Sequence, residues 1–143
     1  MSAEPALPLA SRPAEVRAAA ALAAIAAWTI VVPYLGKALG LVVPVAGIVE
    51  VVDHVIPGAL VLACALYLHR VARRGALASE RFALLAGGAC FIAGFWVLVT
   101  HLPLFGDAQN GEVGWDAAIW HSVAALPMVG VAFWCVLRAT PKA

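Results

Sequence analysis

Charge is what this chain has least of. Only 12% of its 143 residues are charged and 64% are hydrophobic, whereas a soluble domain is about a quarter charged and about half apolar. Mean hydropathy is +0.97. A short chain leaves too much surface exposed to hide that excess in a core, so an ordinary soluble globule is excluded and lipid becomes the expected solvent. The net charge of +1, with no basic patch beyond one short cluster, excludes nucleic acid as a partner. Cysteine is scarce too. Cys64, Cys90 and Cys135 all fall inside apolar runs and form no CxxC pair, so they read as buried structural thiols rather than a disulfide framework or a redox couple. There is no HExxH or HxH motif, no phosphate loop and no nucleophile–base pair, and the balance leans away from an enzyme.

What the chain does have is four long apolar stretches. A spanning helix needs roughly 20 mostly apolar residues, so four spans nearly fill the sequence and leave no room for a separate soluble domain. The first runs from about Arg17 to Gly36, the second from Val51 to Arg70, the third from Arg81 to Leu102 and the fourth from Asp116 to Arg138. The expected fold is an all-α integral membrane protein, a four-helix up-down bundle over residues 17–138 with tails at 1–16 and 139–143. The stretch from Lys37 to Val52 is apolar but broken by Gly40, Pro44 and Gly47. It reads as a short interfacial or re-entrant segment, or as an early start of the second span. Ser79 and Asp116 are placed to cap the third and fourth helices.

Basic residues set the expected orientation. Arg12, Arg17, Arg70, Arg73, Arg74, Arg81, Arg138 and Lys142 fall on one side and Lys37 alone on the other. The positive-inside rule makes both termini cytoplasmic, in a multi-pass protein of a cell membrane. The alanine-rich, lysine-poor composition suggests a bacterial inner membrane. Glycines and alanines of the third span form a small-residue face suited to close packing or to a partner, in a homodimer or a larger complex.

The two hairpins resemble each other. Trp28 to Pro33 can be laid over Trp96 to His101, and Asp53-His54 with its run to Arg70 over Trp120-His121 with its run to Arg138. Such a repeat is parallel, with its axis along the membrane normal. It makes His54 and His121 equivalent positions facing one another across the bundle.

The outer face carries the chemistry. Glu50 and His54, at i and i+4, share a helix face; His101 ends the third span and His121 begins the fourth. Ionisable groups at membrane depth are costly and usually face the bundle interior. His54, His101 and His121 are therefore expected to meet, with Glu50 beside them. Asp107 and Glu112 read as solvated loop charges, His69 as an ordinary residue of the inner face, and the tryptophans mostly as an aromatic belt, with Trp120 beside His121 as a pocket wall.

Two ligands suit this set. Haem b would take His54 and His121 as axial ligands, with His101 nearby and small residues beside them to admit the macrocycle. A bare copper, zinc or iron ion would take mixed donors from Glu50, His54, His101 and His121. The layout resembles one half of the haem A synthase family, whose four-helix halves carry histidines near the outer ends of the second and fourth helices and a Glu shortly before the first. Glu50, His54 and His121 match those positions. The resemblance is one of arrangement: the Glu-to-His spacing differs, no Arg follows His54 and the first outer loop has no cysteine pair. It does not extend to synthase activity. The alternatives are a non-catalytic accessory subunit of a larger complex and a small dimeric transporter, the latter disfavoured by the near absence of ionisable residues in mid-span.

Overall fold

A computed structural model describes residues 13–39, 47–77 and 81–140. Every regular element among them is helical: α1 (Pro13–Ala38), α2 (Gly47–Glu50), a π-helical turn (Val51–Val55), α3 (Ile56–Arg73), α4 (Arg81–Gln109), α5 (Trp115–Ser122) and α6 (Ala125–Ala139). Four helical stretches, Pro13–Gly36, Gly47–Arg73, Arg81–Gln109 and Trp115–Ala139, are long and apolar enough to cross a membrane. α1 packs on α3, α3 on α4, α4 on α6, and α6 on α1. That closes a ring of four antiparallel spans and suits a multi-pass membrane protein.

The spans are longer than the apolar runs alone suggest. α1 begins at Pro13, because proline is well tolerated at a first helical position, where its missing N–H has no partner to lose. The helix passes through Pro33 to Ala38. The second span begins at Gly47, so the tail of the Lys37–Val52 stretch is an early start of that span; residues 40–46 lie outside the described residues, as does the expected cap at Ser79. α4 does not stop at Leu102. It continues through Pro103 to Gln109, held by the burial of Ala108 and by Phe105 packing on Trp115 at 6.5 Å. Asp107 therefore lies on the last turns of a helix, not in a loop. Gly111 follows with φ +77°, the left-handed turn that glycine makes at low cost after a helix end.

Asp116 is not the cap of the fourth span. Gly114, extended at φ −71° and ψ 144°, takes that position. The Asp116 carboxylate folds back over it, into space that a Cβ on Gly114 would occupy. Asp116 instead places negative charge in the first turn, where the helix dipole favours it.

Small residues bring the helices together. A Cβ added to Gly58 would lie 2.7 Å from Ile30 Cγ1 and 3.2 Å from the Ala26 carbonyl oxygen, so α1 and α3 touch backbone to backbone at that level. Gly94 meets Met128 and Val129 in the same way between α4 and α6. Leu22, Ala26, Val61, Ala65, Leu68, Cys90, Met128, Ala132 and Cys135 fill the interior. Cys90 and Cys135 are buried, Cys64 is half-buried, and all three are free thiols. Near the opposite end of the bundle from the other three histidines, His69 Nδ1 lies 3.3 Å from the Val16 carbonyl and ties α3 to α1.

Two of the spans are irregular near their histidines. The π-helical turn carries His54, and its hydrogen bond runs from the Ile56 N–H to the Val51 carbonyl. Pro57 follows within the first turn of α3. In the fourth span the α-helix loosens at Val123–Ala124, directly after His121 and Ser122, although both residues keep right-handed helical angles. Pro127 is the cause available in sequence. It has no N–H to return to the Val123 carbonyl, and the regular ladder resumes with Met128 N–H to Ala124 O at 3.1 Å.

Candidate metal centre

Helix geometry brings His54, His101 and His121 to one level. His54 lies seven residues after Gly47, His101 eight before Gln109 and His121 six after Trp115. At 1.5 Å per residue each sits about 10 Å below the same end of the bundle. All three are buried, with 2%, 3% and 4% of their surfaces exposed. The rings form a closed cluster: their centroids are 4.5 Å apart for His54–His121, 4.7 Å for His54–His101 and 5.0 Å for His101–His121. One ligating nitrogen from each lies within 4.8 Å of those of the other two. His54 and His121 do face each other across the bundle, as the two-hairpin reading expects.

The backbone and one carboxylate orient two of the rings. His101 Nδ1 lies 2.6 Å from the Val97 carbonyl, which can only accept, so Nδ1 carries the proton and donates. Thr100 Oγ1 stands 3.1 Å from the same nitrogen and itself donates to Val97 O at 3.2 Å. The neutral ring then turns a bare Nε2 inward. His54 Nδ1 lies 3.3 Å from Glu50 Oε2, an ion-pair contact off the ideal hydrogen-bond axis. The two Nε2 atoms meet at 3.0 Å.

Two hydrogen bonds run through this pair: His54 to His101, and His101 to the Val97 carbonyl. Two neutral imidazoles bring one N–H each, enough for both, and the Glu50 contact is one of charge alone. A metal ion would take the place of the hydrogen between the two Nε2 atoms. His121 adds a third ring, and its buried Nδ1 has no hydrogen-bond partner.

The donor set fits a transition-metal ion. Metal-bound histidines usually pass the N–H of the second nitrogen to a carbonyl or carboxylate, which fixes the tautomer and the ring angle. Val97 and Glu50 stand in those places for His101 and His54. With metal–nitrogen bonds of about 2.0–2.1 Å, two ligands lie about 2.9–3.4 Å apart over angles from square to tetrahedral. The 3.0 Å pair already falls in that window. The widest pair, at 4.8 Å, would close by about 1.4 Å, a motion shared between two rings. Glu50 stands behind the ring of His54, away from the nitrogen that faces His101. It thus supports a ligand, and its expected place among the direct ligands is not what the geometry favours. Asp53 lies at the rim. Asp107, Glu112 and Asp116 do not join the three-histidine group.

A cleft of about 110 Å³ opens beside the rings, lined by Val49, Glu50, Asp53, Thr100, Leu104 and the three histidines. Trp120 packs edge-on to Trp28 at 5.0 Å and is not among the residues that line the cleft, so it is not the pocket wall expected of it. Trp96 and Trp115 are exposed, as belt residues are. The Val97 carbonyl carries no signal in sequence, so it was not among the expected groups. Thr100, adjacent to His101, is the one trace of that support a sequence could offer. Compared with family models, curated proteins and solved structures, the chain gives no match to any of them. What stands is a helical protein with four span-like helices and three buried histidines placed to hold a metal ion.

Proposed function

We propose that this chain is a multi-pass membrane protein that binds one first-row transition ion through His54, His101 and His121, with Glu50 and the Val97 carbonyl as outer-shell supports. The observation that carries this reading is the meeting of three buried imidazoles, from three different spans, around one point. A simple hydrogen bond would account for the His54–His101 contact but leave His121 without a role. Imidazole suits zinc, copper, iron and nickel, whereas magnesium and calcium prefer oxygen. Three histidines with an open fourth position favour zinc or copper. The concentration of arginines at the opposite end, at Arg70, Arg73, Arg74, Arg81 and Arg138, supports an extracytoplasmic site by the positive-inside rule.

Haem b is less well supported than a bare ion. A macrocycle must pass between its two axial rings, yet His54 and His121 are in edge contact, with His101 against both. The cleft of about 110 Å³ compares with about 300–1,000 Å³ for pockets that enclose drug-sized ligands. The accessory-subunit reading has only exposed apolar faces in its favour, which lipid also covers.

The deciding experiment is elemental analysis of the full chain purified in detergent, followed by titration with Zn2+ and Cu2+. One ion per chain is expected, lost in His54→Ala, His101→Ala and His121→Ala. A protein that holds no ion and takes up none on titration ends this reading. A Soret band that disappears in His54→Ala and His121→Ala would replace it with haem.

A further inference from the structure

The site is strongly off-centre along the bundle. Its rings lie about 10 Å from one end, whereas Arg73 and Ala139 lie nineteen and eighteen residues beyond His54 and His121, about 27 Å away. Four of the five residues that line the cleft with the rings flank them toward the near end: Val49, Glu50 and Asp53 precede His54, and Leu104 follows His101, while Thr100 lies level with His101, one residue to its far side.

The grooves toward the far end are larger but apolar and run over exposed faces of the bundle, one lined by Ile56, Leu60, Ile92 and Trp96 and the other by Phe82 and Leu85, and none of the three rings lines either. Below the rings the interior is closed by Leu22, Ala26, Val61, Ala65, Leu68, Met128 and Ala132, contributed by all the spans except the third, and by Cys90 and Ala93 from that one. The Thr29 hydroxyl donates to the Ile25 carbonyl at 2.9 Å and is not turned to the axis as a ligand. The Cys90 thiol points to the Val61 carbonyl at 3.8 Å. Among the described residues, the three histidines are the one group of ligating side chains close enough to share an ion. A metal ion leaving the rings in that direction would have to shed its ligands inside a hydrocarbon-like core, at a cost far beyond thermal energy.

We propose that the ion held by His54, His101 and His121 exchanges with one face of the membrane only, through the cleft rimmed by Glu50 and Asp53. The protein thus captures and hands over metal on that face and does not pass it across the bilayer. This rests on the metal reading above and adds to it a direction and an exclusion. Asp53 draws the cation to the cleft by charge, Glu50 meets it next to His54, and the three imidazoles take it as water is shed. The open side leaves one coordination position for water or for a donor atom of an acceptor molecule.

The test uses the full chain in sealed phosphatidylcholine–phosphatidylglycerol vesicles, loaded with Zn2+ and carrying a protease-cleavable tag after Ala143. The tag marks the end of α6, which is opposite the cleft. A membrane-impermeant chelator added outside should strip zinc only from molecules whose tag is protected from external protease. A zinc indicator trapped in the lumen should report no more influx than in protein-free vesicles. Asp53→Asn should slow zinc capture about tenfold at low salt, as loss of electrostatic steering does, with the same sidedness. Stripping of both orientations alike, or protein-dependent zinc influx, overturns one-sided exchange. An unchanged capture rate in Asp53→Asn overturns the acidic route. Failure to load zinc at all before the chelator is added overturns the metal reading itself, and this inference with it.

Discussion

His54 and His101, 47 residues apart in sequence, hold their Nε2 atoms 3.0 Å from one another, while each ring's Nδ1 is turned to an acceptor, Glu50 in one case and the Val97 carbonyl in the other. Two rings already oriented from behind, with their Nε2 atoms facing, form a preorganised half of a coordination sphere. His121 supplies the third side.

The first prediction concerns the support behind His54. Glu50→Gln keeps a hydrogen-bonding side chain of the same shape but removes the charge that fixes the tautomer. Outer-shell losses of this kind cost roughly 10–100-fold in metal affinity. Competition against a chromophoric zinc chelator should show that loss with the stoichiometry still at one ion per chain. Loss of stoichiometry would make Glu50 a direct ligand, and an unchanged affinity would remove it from the site.

Acid should release the ion. Imidazole binds metal as the neutral base, so protons compete with the ion once the rings begin to charge, and affinity falls as pH falls. Chelator competition over a descending pH series should show zinc released in acid, with His121→Ala binding more weakly at every pH. Zinc retained undiminished in strong acid would contradict binding through these rings.

Packing at Gly58 should prove intolerant. There is no room for a Cβ between Ile30 Cγ1 and the Ala26 carbonyl. Gly58→Val therefore forces α1 and α3 apart, an overpacking change that costs about 1–3 kcal/mol. Thermal melts followed by circular dichroism should show a clear drop, against a small change for Gly88→Ala, where the added atom meets nothing within 4 Å.

The thiols offer an independent check on the interior. Cys90 and Cys135 are buried at 0% and 1% exposure and Cys64 is half-buried. Maleimide reacts with the thiolate and needs access to it. Native protein in detergent should label at Cys64 first, with Cys90 and Cys135 reacting only after denaturation. Fast labelling of Cys135 in Cys64→Ser protein would show the bundle to be looser than described.

Much of this arrangement could be read from residue order. Four apolar runs of span length dictate four helices, and short links between them dictate antiparallel neighbours. Histidines at the matching ends of the second, third and fourth runs must then fall at one depth. Boundaries were harder, because local rules compete there with contacts distant in sequence. The third apolar run reads as ending at Leu102, yet α4 passes through Pro103 and, with Phe105 against Trp115, continues to Gln109. Asp116 reads as a cap, yet Gly114 takes the position and the Asp116 carboxylate folds back over it from the first turn. The π-helical turn at Val51–Val55 and the loosened turn at Val123–Ala124 are backbone events that apolar periodicity does not report. The distinction between Glu50 as a ligand and Glu50 as a support depends on which edge of an imidazole it meets, and spacing along a helix does not specify that.

The shallow placement of the rings bears on how the site would respond to voltage. Spans of 24–29 residues are about 36–43 Å long, whereas the hydrocarbon layer is about 30 Å thick. An ion about 10 Å from one end therefore crosses only the first several ångströms of the insulating layer. A full crossing is worth about 2.3 kcal/mol per charge at 100 mV; the small fraction crossed here leaves a divalent ion with roughly 1 kcal/mol or less. Occupancy would then follow the concentration of free metal on one side, and would hold nearly steady as the cell energises or de-energises its membrane.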